Sequence, residues 1–340
     1  MIVLVIIGSL IGAGFASGQE IYVFFYRYGK NGIIGLVICS ILIGMVIYKT
    51  LKISVENKIK SYKEFLEYVF KPKKQYLNLS YIYNIIVNIF MLITFFIMIS
   101  GFGAYFEQEY EISKQIGALV LAIISFLTFM TSVKGVTKAN EIAVPILITV
   151  IILLGFKSFS MIDFIDFGSN LKKQMPIFLG LAQSIIYSCY NSILLLPILV
   201  NISSYINDKK EIKQISIISG ILIFVLALSI FLVLVNIDID ISKIEMPVVY
   251  AVNKIMPKLK KVYGVIILLS IFTTSISVGI SFLKNVSQNE KSFPHIAIIM
   301  CITGVLISNF GFSNLVKVMF PAFGILGIIQ IYFLLLQNSK

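Results

Sequence analysis

An acidic residue, Glu20, lies inside an apolar stretch that covers about residues 2–26. Apolar surroundings favour the uncharged form of a carboxyl group, so a residue placed there can take up and release a proton. The carboxylate could instead pair with a lysine, bind the ammonium group of a small molecule, or reach water at the outer end of the stretch. Arg27, the only arginine, follows about two helical turns later. It predicts either a gate shared with Glu20 or a side chain that extends to the aqueous surface.

Glycines are concentrated in the same stretch, at Gly8, Gly12, Gly14 and Gly18. Each glycine costs a helix about 1 kcal/mol relative to alanine, so their density predicts an unwound segment. Freed carbonyl and N–H groups there could bind ions and a substrate, and the half-helix that follows would direct its positive end at an anionic group. The alternative is close helix packing through small residues, which the four-residue spacing of these glycines also fits.

A second polar cluster lies within an apolar stretch that covers about residues 175–201. It comprises Tyr187, Ser188, Cys189, Tyr190 and Asn191. Polar side chains at membrane depth need partners, so the cluster predicts either a second unwound binding segment or hydrogen bonds between helices. Asn84 and Asn88 lie one turn apart in another apolar stretch. They could face the same cavity or simply bond between helices.

Hydroxyl side chains line one face of a further apolar stretch. Ser270, Thr273, Thr274 and Ser277 recur at helical spacings of three or four residues. Hydroxyl oxygens together with unwound carbonyl oxygens suit a hard monovalent cation such as Na⁺. The same side chains can also bond the carbonyl four residues earlier in their own helix, so the pattern has a purely structural alternative.

The composition excludes an ordinary soluble domain. Hydrophobic residues make up 58% of the chain, charged residues only 13%, and the mean hydropathy is +0.97. Apolar runs long enough to cross about 30 Å of hydrocarbon recur along the chain, without the alternation of a β-barrel, so we expect an all-α polytopic membrane protein. The ten runs are residues 2–26, 32–51, 77–106, 115–133, 141–158, 175–201, 212–236, 260–284, 295–310 and 313–337, called spans 1–10.

Neither an enzyme nor a cofactor site is expected. The chain has a single histidine, His295, and its three cysteines, Cys39, Cys189 and Cys301, lie in apolar runs. These residues offer no catalytic group or metal cluster, and Na⁺ is the only metal that we expect. The net charge of +12 is attributed to lysines beside anionic lipid rather than to nucleic-acid binding.

The ten spans predict two five-helix repeats. Residues 1–158 would form the first and residues 172–337 the second, with a surface segment at 54–75 and a short external helix near residues 245–255. Repeats of five spans must insert in opposite orientations, the arrangement of inverted-repeat transporters, and spans 1 and 6 would both be unwound at mid-membrane. Sixteen of the 28 basic residues fall on the side of the N-terminus, which favours cytoplasmic N- and C-termini in the plasma membrane.

The motif Gly12–Glu20, GAGFASGQE, resembles the first-helix motif of the YkvI-like bacterial membrane proteins. The span pattern resembles the amino acid–polyamine–organocation superfamily, whose members have the LeuT-like 5+5 fold. This resemblance implies a Na⁺ site and a substrate site against the two breaks. The Na⁺ ligands would be the carbonyls of Gly8, Ile11 and Ser270 and the hydroxyls of Thr273 and Thr274. The substrate residues would be Gly12, Gly14, Phe15, Gly18, Asn88, Tyr187, Ser188, Tyr190 and Asn191, with Glu20 and Arg27 as proton carrier or gate.

The expected function is therefore secondary active transport by alternating access. The substrate would be a small solute, an amino acid or related amine, moved with Na⁺ or H⁺. The rival hypothesis is a ligand-sensing membrane protein of the same fold, similar to a germinant-receptor subunit, which binds without net transport. The substrate, the coupling ion and the oligomeric state are left open by the sequence.

Overall fold

The computed structural model describes residues 2–70, 79–131, 134–162, 176–206, 208–287 and 291–337. All regular elements within these residues are helical. In chain order they are α1 (Ile2–Leu10), α2 (Ala13–Ala16), α3 (Gln19–Phe24), α4 (Lys30–Glu56), α5 (Tyr62–Val69), α6 (Leu79–Tyr110), α7 (Lys114–Met130), α8 (Lys134–Met161), α9 (Ile177–Ile202), α10 (Lys209–Val235), α11 (Pro247–Ile255), α12 (Lys260–Val286), α13 (Ser292–Ile307) and α14 (Phe312–Leu336).

Within the described residues, eight helices are long and apolar enough to cross a membrane. They are α4, α6, α8, α9, α10, α12, α13 and α14. Of these, α9, α12 and α13 are taken together with the 3-10 turns that adjoin them. The helix α7 is apolar but has only 17 residues, and the first apolar run is divided into three short helices. The prediction of a polytopic helical membrane protein is confirmed at this level.

The first apolar run is interrupted twice. The backbone bond from Ile11 N–H to the Ile7 carbonyl is the last of α1, and the bond from Ala16 N–H to the Gly12 carbonyl is the first of α2. Gly12 between them is extended, with φ −82° and ψ −176°. Gly18, between α2 and α3, has φ +86°, a left-handed conformation that glycine adopts without a steric penalty.

The sixth run does not share this interruption, so the prediction that span 6 is unwound is wrong. Its polar residues lie within the continuous helix α9. Ser188 donates to the Ser184 carbonyl, Asn191 to the Tyr187 carbonyl and Ser192 to the Ser188 carbonyl, each four residues back. The side chains thus find their partners on an intact helix, and no unwound backbone is needed to satisfy them.

Long helices surround the broken first run. The helix α1 packs against α8, α9 and α10, and α3 contacts α9, α10 and α14. The helices α4 and α10 cross where both carry glycine: the position of a Cβ at Gly44 lies 3.4 Å from the Ser216 carbonyl oxygen, and that at Gly220 lies 3.2 Å from the Ser40 carbonyl oxygen. The absence of side chains allows the two backbones to approach each other this closely.

Two short amphipathic helices lie outside the long ones. The helix α11 buries Val248, Val249 and Val252, and it contacts α8, α10 and α12. The helix α5 buries Phe65 and Leu66 and contacts α6 and α9. Both occur where the sequence predicted short helices, although the last residues of the predicted 54–75 segment lie outside the described part of the chain.

Candidate functional site

Glu20 is buried at the start of α3, where the first run approaches α9. Its carboxylate oxygen Oε2 accepts a hydrogen bond from the Tyr187 hydroxyl at 3.3 Å and another from the Tyr190 hydroxyl. Residues from both predicted polar clusters therefore meet at one carboxylate, which links the broken run to the intact helix α9.

Gly14 provides the space that this carboxylate occupies. A Cβ at Gly14 would overlap Glu20 Oε1 and lie 3.0 Å from its carboxyl carbon. The turn between α2 and α3, with left-handed Gly18 at its end, folds Glu20 back over Gly14 and Phe15. At Gly12, by contrast, an added Cβ would find no atom within 4 Å. The glycines of the motif thus have different roles, and helix packing through Gly12 is not one of them.

Aromatic rings enclose the two tyrosines that contact Glu20. Phe24 stacks on one side of Tyr190, with ring centroids 5.6 Å apart, and Phe320 from α14 stacks at 4.8 Å. Phe25 packs edge-on against Tyr187 at 4.9 Å. Sequence reasoning did not identify these phenylalanines. Phe24 could have been found one turn after Glu20, whereas nothing in the sequence connects Phe320 with this site.

No basic side chain neutralises Glu20 within the described chain. The ion pairs found there join Lys209 to Glu56, Lys254 to Asp238, and Lys260 to Glu109. Arg27 is exposed in the 3-10 turn Tyr26–Tyr28, and its guanidinium carbon lies 5.7 Å from the centroid of the Tyr28 ring. Arg27 and Glu20 therefore form no ion pair within the described chain. An unpaired buried carboxylate needs either a proton or a cationic ligand.

The segment between α10 and α12 covers the break on one side. The Val248 N–H donates to the Ser17 carbonyl at 2.9 Å. The Gln19 side-chain amide donates to the carbonyls of Ile244, at 2.5 Å, and Glu245, at 3.1 Å. The Tyr263 hydroxyl in α12 donates to the Ala16 carbonyl at 2.5 Å. Because these bonds hold residues 16–19 against two other elements, the site is closed on this side.

Gly18→Ala is expected to loosen this cover. A Cβ at residue 18 would lie 2.7 Å from Val248 Cγ2, and the left-handed backbone adds conformational strain. We expect a stability loss of about 1 to 3 kcal/mol, measured by thermal unfolding of the purified protein. Adding Val248→Ala should restore the part of the loss that comes from the clash. Equal stability of Gly18→Ala and wild type would contradict this account.

The other predicted substrate residues are divided between this site and other places. Phe15 and Gly18 lie in the broken run beside Glu20, and Ser188 and Asn191 are buried in α9 with their side chains bonded to carbonyls of that helix. Asn88 does not join them. Its side chain bonds the Asn84 carbonyl and accepts a bond of 2.8 Å from Asn285 near the end of α12.

The predicted Na⁺ ligands lie at the end of α1 and on α12. The Gly8 carbonyl belongs to the last turn of α1, where a helix leaves four carbonyl groups without intrahelical partners, and Ile11 directly follows that turn. The missing side chain of Gly8 faces Val144 of α8, with 3.0 Å between the Cβ position and Cγ2. On α12, Ser270 and Thr273 are buried and Thr274 is half-buried; the Thr273 hydroxyl donates to the Ser270 carbonyl at 3.2 Å.

No protein-family model matches the chain. YyaD of Bacillus subtilis (strain 168) is 27% identical over 338 residues, which cover 98% of this chain and 95% of YyaD. The uncharacterized membrane protein YkvI of the same strain is 27% identical over 345 residues, which cover 98% of this chain and 94% of YkvI. The chain is thus similar along nearly its whole length to YkvI and YyaD, which supports the resemblance to YkvI-like membrane proteins that its first-helix motif indicates.

Proposed function

We propose that the protein is a secondary active transporter that moves a small amine, such as an amino acid or related compound, by alternating access. The observation that carries this proposal is the Glu20 carboxylate, buried at a break in one helix and bonded by two tyrosines of another. In this proposal the protein catalyses no reaction and holds no cofactor besides the coupling ion, Na⁺ or H⁺.

The number of membrane crossings in the proposal is ten. The broken run α1–α3 and the helix α7 add two spans to the eight long apolar helices. A broken helix is tolerated at membrane depth where it is surrounded by protein, and residues 13–21 are buried throughout. With ten spans, both termini lie on one side, which we assign to the cytoplasm from the distribution of lysines.

The packing of the helices supports two inverted five-span repeats. Several contacts between helices have a less extensive counterpart when each span is replaced by the span five positions away in the chain. The contact of α4 with α9 corresponds to that of α10 with α1, and α6 with α7 corresponds to α12 with α13. The contact of α8 with α10 likewise corresponds to that of α14 with α4.

The crossing of α4 with α10 also fits a two-fold relation. Each glycine at this crossing faces the carbonyl of the serine four residues before the other glycine. The same number of residues separates Gly44 from Gly220 and Ser40 from Ser216. That number also separates Pro145 in α8 from Pro321 in α14. A reciprocal contact of this kind is the signature of a two-fold axis, here between two halves of one chain.

The substrate class in the proposal follows from charge. An ammonium group can replace the proton as the partner of Glu20, and the surrounding tyrosine and phenylalanine rings favour a cation through their quadrupoles. The Glu20 carboxylate already lies over Gly14 of the broken helix, so the chain itself provides the anionic group that would otherwise come from a substrate carboxylate there. We therefore rank simple amines above zwitterions as substrates.

Sodium coupling is tested on α12. Replacing Thr273 with alanine and Thr274 with valine removes both predicted hydroxyl ligands, and we expect Na⁺-dependent uptake to fall to the level measured without Na⁺. Ser277→Ala is the matched control, because Ser277 is exposed on the same helix and donates to the Thr273 carbonyl. Uptake of the double variant that still rises with Na⁺ would remove this site from the mechanism.

The proposed function itself is tested with the purified full chain. Thermal stabilisation across a panel of amines and amino acids, with and without Na⁺, identifies ligands, and uptake into proteoliposomes then measures transport of each ligand. Accumulation against a gradient of Na⁺ or H⁺ supports the transporter. A ligand that stabilises the protein but never accumulates would contradict it and favour a sensor.

A further inference from the structure

A groove of about 780 Å³ that is open to the protein surface runs between α4 and α10. Its walls are apolar side chains, among them Ile41 and Met45 on α4 and Ile217 and Ile221 on α10. Gly44 and Gly220 also line it, where the two helices approach most closely. The groove is distinct from the Glu20 site, whose residues do not line it.

One end of the groove is basic. Lys49 and Lys213 both line it, with Tyr48 beside them. Lys49 donates to the carbonyls of Leu335 and Gln337 at the end of α14, which fixes its ammonium group at this end. Lys213 is exposed and forms no ion pair within the described chain. The nearby Glu56 is already paired with Lys209, and Glu211 does not line the groove.

The length of the groove matches one leaflet of a bilayer. Its lining on α4 extends from Val37 to Lys49, about 18 Å at a rise of 1.5 Å per residue. Half of a hydrocarbon core of about 30 Å is about 15 Å. A lipid whose acyl chain lies along the groove from its Val37 end would therefore have its headgroup at the level of the two lysines.

We propose that this groove binds an anionic phospholipid. One acyl chain lies between α4 and α10 along the apolar walls, and the phosphate pairs with Lys213 and with the remaining donor of Lys49. Charge complementarity selects the occupant, because a groove with apolar walls and two lysines at one end fits an amphiphile with an anionic headgroup. Both walls belong to the helices that contact α1 or α9, so a bound lipid would contact the part of the fold that carries the site.

Native mass spectrometry of the full chain tests this inference, with phosphatidylglycerol and phosphatidylcholine of identical acyl chains as probes. We expect phosphatidylglycerol to bind several-fold more tightly, and Lys213→Gln to weaken its binding about fivefold. Lys284→Gln, which removes an exposed lysine from the last turn of α12, controls for the overall positive charge and should leave binding unchanged.

A tryptophan pair tests the groove itself. Ile217→Trp fills the groove and should reduce the binding of both lipids, whereas Ile218→Trp should not, because Ile218 is equally exposed (50% against 51%) but does not line the groove. Equal binding of the two lipids, or equal effects of the two tryptophans, would overturn the proposal. If Ile217→Trp does not fold, the proposal is tested by the phosphatidylglycerol binding of Lys213→Gln compared with that of Lys284→Gln.

Discussion

Glu20→Gln is expected to abolish uptake of the amine substrate, with an affinity loss of about 30-fold or more. Removing one partner of a buried charge pair costs about 2 to 5 kcal/mol, and a neutral amide offers no counter-charge to an ammonium group. The substituted side chain still provides an oxygen that can accept from Tyr187 and Tyr190. Thermal unfolding should therefore show a stability equal to that of the wild type or higher, because no unpaired carboxylate is left buried.

The pH dependence gives this variant a second readout. If the proton and the ammonium group compete for one carboxylate, wild-type affinity for the amine weakens as the pH falls, since protons occupy the carboxylate more often. Glu20→Gln should lose this dependence. Uptake by the variant at the wild-type rate and with the wild-type pH profile would exclude Glu20 both as the amine partner and as the proton carrier.

Gly14→Ala is expected to displace the carboxylate from its position over α2. The added methyl carbon would overlap Glu20 Oε1, so either α2 or the Glu20 side chain must move. We expect a stability loss of about 1 to 3 kcal/mol and the loss of most uptake, because a displaced carboxylate can no longer accept from Tyr187 and Tyr190 at once. Thermal unfolding and proteoliposome uptake measure the two effects.

Gly12→Ala is the matched control for this substitution. It adds the same methyl group two residues earlier in the same broken run, where the backbone is extended and no atom lies within 4 Å of the added carbon. We expect its thermal stability to equal that of the wild type. Equal destabilisation by the two substitutions would mean that glycine is needed for backbone flexibility throughout the run, and that Gly14 makes no specific space for Glu20.

The position of the polar residues was readable from the sequence, but their contacts were not. The glycine-rich run and the Tyr187–Asn191 cluster do meet at one site, and Glu20 is buried there as expected. Their equivalence in sequence led to the wrong prediction that both helices are interrupted. Serine and asparagine side chains can bond carbonyls of their own helix. The closely spaced glycines of the first run have no side chain that could compensate for their weak helix propensity, and this difference separates α9 from that run.

Long-range placement decided what the sequence left open. Asn88 and Arg27 have the polar side chains of a site, yet one bonds Asn285 and the other lies exposed over Tyr28. Phe320, an ordinary apolar residue of the last helix, stacks on Tyr190. The crossing of helices that are far apart in the chain decides which of several similar residues reaches the site. Local sequence does not specify how those helices cross.

That the chain crosses a membrane many times follows from its amino-acid sequence, because the hydrophobicity and length of each run are local properties. The interruption of the first run also follows from the sequence, since glycine density acts on the backbone at that place. The packing of the helices was needed to show that Glu20 accepts from Tyr187 and Tyr190 and lacks a cationic partner within the described chain. Three properties make Glu20 the candidate binding group: its burial, its hydrogen bonds and the absence of a neutralising charge. All three depend on how the helices pack together.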